Sequence, residues 1–268
     1  MSPSTDDSRA PAREQPAAPG PYFALDRHDP ALPPAPPWQS MAALGLDPAV
    51  PADRVATVRA ILAAGGGQPA EAVELRVAAS VVHLGLVARI ASPVLALAVL
   101  EGRTPAVRLA DLRWQPQPGS AFPLSLAASP HPNPGPDPNP GPDPDPGPDP
   151  LPDDPAAVAR ALGRTLLDLA AAELAAAVRP YGVPRHIAWG NTASALAGAT
   201  TMLISARPAA APRLRAVLAG LLDHPSLRGT AELGPDGRLR RRSCCLIYRA
   251  APDRNGPLCG DCALARTH

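Results

Sequence analysis

Cys244, Cys245, Cys259 and Cys262 are the only cysteines in this 268-residue chain, and all fall within its last 25 positions. Soft thiolates grouped this closely suit zinc or an iron–sulfur cluster, and four of them complete one such site. The pattern is an adjacent pair, a gap of 13 residues and then a CxxC. Adjacent side chains diverge in an extended chain, so convergence on one tetrahedral zinc is awkward. A [2Fe–2S] cluster asks for two thiolates on each of two irons and offers a wider target. Gly260, inside the CxxC, lets backbone amides approach the sulfurs. The spacing favours a cluster and leaves zinc open. A disulfide is the lesser alternative: the N-terminal stretch lacks the basic and apolar regions of a secretory signal, which points to a reducing cytoplasm.

Other residues offer less chemistry. Arg238, Arg240, Arg241 and Arg242 directly precede the cysteines. Near a cluster their charge would favour the reduced form and attract an anionic substrate or acidic donor; away from one they form a solvated basic turn. The six histidines, at 28, 83, 131, 186, 224 and 268, share no ligand spacing. His83 lies in an apolar stretch and reads as a core histidine. Gly65-Gly66-Gly67 follows a helical pattern rather than a strand, the wrong context for a dinucleotide fingerprint, so a separate electron donor is expected.

Composition excludes several classes. The formal net charge is +1 and there are eight aromatic residues, too little charge and stacking surface for a general nucleic-acid binder. All 25 basic residues are arginine, which dilutes the meaning of any one Arg. Val77 to Leu100 is apolar for the length of a membrane span. It also holds His83, Arg89 and Pro93, and a central Arg costs about 2.5–3.5 kcal/mol on insertion scales. Two buried helical pieces broken at Ser92-Pro93, with no transmembrane segment, is the expectation.

The elements that must carry the cysteines follow from pattern. Residues 1–50 are rich in Pro, Ala and Ser, and most of them are expected to be an extended or disordered leader, with Tyr22, Phe23 and Trp38 as candidates for local docking. Residues 51–128 form a first half. Here a helix is capped by Asp53 and ended by the glycine triplet, and a longer one opens near Pro69. Two short strands follow within 106–127, around a Pro/Gly turn. Residues 129–153 are a Pro/Asp/Gly low-complexity linker in which alternate prolines forbid helix. Residues 154–268 form a helical second half. Its first helix is capped by Asp154 and opened by Pro155, a second follows a turn at Gly190-Asn191, and a third opens at Pro212. The end of the chain, 238–268, reads as an irregular cysteine-rich tail. The fold class expected is α+β, predominantly helical.

The tail RRSCCLIYRAAPDRNGPLCGDCAL resembles the C-terminal signature of the FhuF-type ferric-siderophore reductases. The stretches Arg76 to Gly102 and Ala188 to Gly198 (AWGNTASALAG) are similar to the actinobacterial form of that family. The likeness spans roughly residues 70–126 and 155–268. It implies a [2Fe–2S] cluster held by Cys244, Cys245, Cys259 and Cys262, and an oxidoreductase that reduces Fe(III) in a siderophore to labile Fe(II) during iron acquisition. The implied partners are a ferric siderophore and a separate donor such as a ferredoxin or flavin reductase. The implied location is cytoplasmic, or peripheral on the inner face of the membrane. Trp189 and Asn191 would line the substrate cleft. The 13-residue gap and the Pro-Asp repeat lie outside the family pattern; the APDRNGP segment within the gap should loop out without disturbing the ligands. The alternatives are a zinc-stabilised non-enzymatic binding protein and a cluster-bearing electron carrier without a siderophore pocket.

Overall fold

The computed structural model describes residues 20–117, 119, 121–128 and 154–265. The first 19 residues and the Pro-Asp linker lie outside the described residues. Two long helices make the frame: α3 (Leu75–Leu100) packs along α6 (Arg185–Ala206). Both bury small and apolar residues on most of their surface, from Val77 to Val99 on one and Ile187 to Leu203 on the other. A helix apolar all round belongs in the middle of a fold, and neighbours cover this pair. Helix α2 (Ala49–Gly65) lies against α3, while α4 (Pro155–Leu162) and α7 (Ala211–Leu222) pack together beside α6.

A four-stranded sheet caps one side in the order β1-β4-β3-β2. Strand β1 (Asp26–His28) runs parallel to β4 (Leu124–Ala127), and β3 (Leu112–Trp114) is antiparallel to both β4 and β2 (Gln39–Ser40). The expected strands of the 106–127 stretch are therefore present, and the described residues are predominantly helical with small sheets.

Several expectations change. Of the leader, residues 20–50 are built into the fold: they contribute β1, β2 and the short helix α1 (Ala43–Leu46). The reason is Arg89. Its guanidinium donates to the carbonyls of Phe122 at 2.7 Å, Tyr22 at 3.0 Å and Ala24 at 2.6 Å. This also explains an arginine in the middle of so apolar a helix. α3 is long and apolar enough to cross a membrane, but 67% of its most apolar window is buried inside the protein. The helix does not break at Pro93. It runs unbroken to Leu100, with both faces of the proline turn packed. Its start also moves: Ala70–Ala72 is a separate 3-10 turn, and α3 begins after Glu74. Asp53 lies inside α2 and caps nothing, while the glycine triplet does end that helix.

In the second half, Asp154 caps α4 as expected, accepting from the amides of Ala156 (3.0 Å) and Ala157 (3.1 Å). Beyond it, Gly163–Ala171 widens into a π-type turn. Val107 crosses there, donating to the Thr165 carbonyl at 2.8 Å and accepting from the Ala170 amide at 3.0 Å. Short α5 (Ala172–Ala177) then finishes the rod. Gly190-Asn191 is not a turn; both residues sit inside α6.

Candidate metal centre

The tail is less irregular than its composition suggests. Thr230 onward forms a hairpin, β5 (Ala231–Leu233) against β6 (Leu239–Arg241), closed by the Gly234–Gly237 turn. Asp236 Oδ1 accepts from the Arg238 amide at 3.0 Å, and Gly237 takes the left-handed conformation (φ 75°). Strand alternation then sorts the arginine run. Leu239 and Arg241 point inward; Arg238 and Arg242 are exposed. Arg240 donates to the Ala265 carbonyl at 2.9 Å, and Arg242 pairs with Glu232 at 3.3 Å. A sequence run of four thus becomes one buried cation and three outer ones.

The residues after the hairpin dock on the α3–α6 pair. Ser243 Oγ donates to the His186 carbonyl at 3.1 Å, and Ser80 Oγ donates to the Cys245 carbonyl at 2.8 Å. Asn191 bridges the helices, its amide donating to Ser80 O (3.0 Å) and Ser80 Oγ (3.1 Å) while its Oδ1 accepts from Arg241 at 2.7 Å. Gly190 makes room for this. A Cβ there would stand 2.5 Å from Ser243 Oγ and 3.0 Å from Arg241 Nη2. The Gly-Asn pair is therefore a docking surface for the tail. Trp189 and Asn191 are both buried and line no open cleft, contrary to expectation.

The segment between the cysteine pairs is anchored too. Glu74 holds Arg249 at 2.6 Å and Arg76 at 2.7 Å, with Arg254 at 3.9 Å. Burial works to raise the Glu74 pKa, but the Arg76 hydrogen bond and the arginine charges bring it below the usual value. Gln68 Nε2 donates to the Ala250 carbonyl at 2.6 Å, and a Cβ on Gly66 would meet Pro252 at 3.1 Å. The APDRNGP stretch lies over the α2–α3 junction instead of looping free.

Within this frame two of the sulfurs meet: Cys245 Sγ is 3.5 Å from Cys259 Sγ. Cys262 lies near Cys244, where its thiol adds to the effect of burial in raising the Cys244 pKa. Two thiolates on one metal ion sit about 3.8 Å apart for a bond of about 2.3 Å, so the spacing of Cys245 and Cys259 is that of a shared ligand pair. Among the described residues, no group of three or more His, Cys, Asp or Glu side chains is arranged to hold a metal ion. Backbone amides face two of the sulfurs: Leu246 N–H reaches Cys244 Sγ at 3.2 Å and Leu264 N–H reaches Cys262 Sγ at 3.4 Å. Four thiols with amide donors beside them have the chemistry that a [2Fe–2S] cluster asks of its ligands.

Proton sharing is uneven. The hydrogen bond from Cys259 pushes Cys245 down to about 6 against its burial, helped by the Ile247 amide and the Arg241 charge. The same bond drives Cys259 up, with burial adding to it. Burial also raises Cys244.

Beside the CxxC runs a groove of about 610 Å³ between α6, α7 and the hairpin. Gly260 and Asp261 form one wall, Ser194, Thr201 and Ser205 present hydroxyls along α6, and Arg215 and Arg238 reach in from the other side. Of the residues expected near substrate, Arg238 is here; the sequence offered no signal for the α6 hydroxyls beyond their spacing on one helical face. No protein-family model, curated protein or solved structure matches this chain.

Proposed function

We propose that this protein is an iron–sulfur ferric-siderophore reductase. Cys244, Cys245, Cys259 and Cys262 would hold a [2Fe–2S] cluster, which when bound supplies electrons one at a time. The observation that carries the reading is the approach of Cys245 Sγ to Cys259 Sγ at 3.5 Å, with backbone amides aimed at Cys244 and Cys262 beside them. Hard oxygen donors grip Fe(III) far more strongly than Fe(II), so one electron added to the substrate iron loosens it without any nucleophile or general base. The residues around the centre have correspondingly simple tasks. Ser80, Ser243 and Glu74 pin the tail to the helices, and α3 and α6 keep water from its inner side. The groove beside Gly260 is the natural seat for the ferric complex, because it ends against the CxxC. The electron comes from a separate donor protein.

Anaerobic purification followed by metal analysis and EPR tests the reading. Two irons and two sulfides per chain are expected, with a rhombic signal on reduction. Fe(II) release from a ferric siderophore should be accelerated by the protein and lost in Cys259→Ser. A colourless protein with one zinc would sink the proposal in favour of a structural clip. A cluster that reduces without accelerating Fe(II) release would leave an electron carrier.

A further inference from the structure

Arg241 is only 2% exposed, yet it forms no ion pair among the described residues. Its Nη2 donates to Asn191 Oδ1 at 2.7 Å and lies 3.4 Å from the Ile187 carbonyl; Nε and Nη1 have no acceptor. A guanidinium buried without a counter-charge is strongly unfavourable unless something negative completes it. The interior side offers nothing negative. His83, whose pKa the Arg241 charge helps to lower, is wholly buried, and both its ring nitrogens lack partners. The Asp261 carbonyl accepts from the Arg241 backbone amide at 3.0 Å, which ties the CxxC to β6. The thiol centre is the neighbour on that side: Asn191, which holds the guanidinium, donates to Ser80 Oγ at 3.1 Å, and Ser80 Oγ donates to the Cys245 carbonyl at 2.8 Å.

We propose that Arg241 is the fixed counter-charge of the four-cysteine centre, held in place by Asn191 and left unpaired by the protein so that the loaded centre completes it. The inference rests on the cluster reading given above. Four thiolates and two sulfides around two ferric ions make a dianion, and reduction makes it a trianion, so a nearby buried cation favours the reduced state. An amide at position 191 suits this role, because it orients the guanidinium without neutralising it. The outer arginines are solvated or paired and contribute little.

The decisive variant is Asn191→Asp, nearly isosteric, which installs a carboxylate at the 2.7 Å contact. In an EPR-monitored redox titration of the full-length, cluster-loaded protein, Asn191→Asp and Arg241→Gln should each weaken reduction about tenfold. That is a fall of about 59 mV for a one-electron couple. Arg241→Lys should retain most of the potential, and Arg242→Gln should shift it far less. A potential unmoved by Asn191→Asp and by Arg241→Gln overturns the assignment. A wild-type protein that takes up no cluster removes the functional reading and this inference together, and it is told apart by the missing EPR signal.

Discussion

His83 should make the protein sensitive to mild acid. Its ring is wholly buried in α3, and neither nitrogen has a partner. Burial, and secondarily the Arg241 charge, bring its pKa from 6.5 to about 3. The folded protein therefore keeps His83 neutral while the unfolded chain protonates it below 6.5. Its contribution is fully present above that value and is lost as pH falls from there towards 3. With one proton bound only by the unfolded state, each pH unit costs about 1 kcal/mol or a little more, so moving from pH 7 to pH 4.5 should cost about 2–3 kcal/mol. The assay is urea unfolding followed by circular dichroism, on wild type and His83→Leu in the same loading state. Leu fills a similar volume and leaves no polar atom unpaired. The variant should equal or exceed wild type at pH 7 and lose about 2–3 kcal/mol less on acidification. Equal acid losses in the two proteins would show that His83 takes up its proton in the folded state, and the reasoning about its burial would be wrong.

Two glycines of α6 should respond oppositely to alanine. Gly198 has nothing within 4 Å of the place an added methyl would take, so Gly198→Ala should stabilise by roughly 0.5–1 kcal/mol in thermal melts. Gly190→Ala would press on Ser243 and Arg241, and should lower both stability and metal loading as measured by iron content. Arg89→Met orphans three carbonyls from Phe122, Tyr22 and Ala24. A loss of about 3–5 kcal/mol is expected, together with new proteolytic cleavage near residues 20–25; unchanged cleavage would mean that the segment is held by its other contacts.

Local signals in the sequence located what local chemistry decides. Asp154-Pro155 opens a helix because the carboxylate caps two amides and proline needs none. The Gly-Pro-Asp-Gly stretch at Gly234–Gly237 carries a turn signal of the same local kind, although nothing local marks the hairpin it closes. The misses are tertiary. Pro93 stays helical because α3 is packed along its length, and burial there outweighs the one backbone hydrogen bond that proline forfeits. Gly190-Asn191 looks like a turn only if nothing approaches the helix; here the tail does, and the missing Cβ is the space it uses. The run Arg238–Arg242 gave no hint of which arginine is buried until the strand's alternation fixed Arg241 inward. Prolines around Tyr22 and Trp38 suggested a loose leader, and no local signal shows that Arg89, far along the chain, would bind it.

The adjacency of Cys244 and Cys245 gains a physical role from the turn that follows them. Leu246 adopts a left-handed conformation, φ 71° and ψ −2°, costly for a branched side chain by about 1–3 kcal/mol. That turn aims the Leu246 amide back at Cys244 Sγ and opens the 3-10 turn Ile247–Ala250, which packs on α3. The two thiols consequently leave the chain differently: Cys245 Sγ meets Cys259 Sγ at 3.5 Å, while Cys244 Sγ takes the Leu246 amide. The CxxC turn, closed by the Cys262 amide on the Cys259 carbonyl at 3.2 Å, lies across them. Divergence at an adjacent pair would spoil a site built around one ion. In the cluster proposed above the same divergence would let each member of the pair serve a different iron, and the strain at Leu246 is offset by the anchors at Ser80, Gln68 and Glu74.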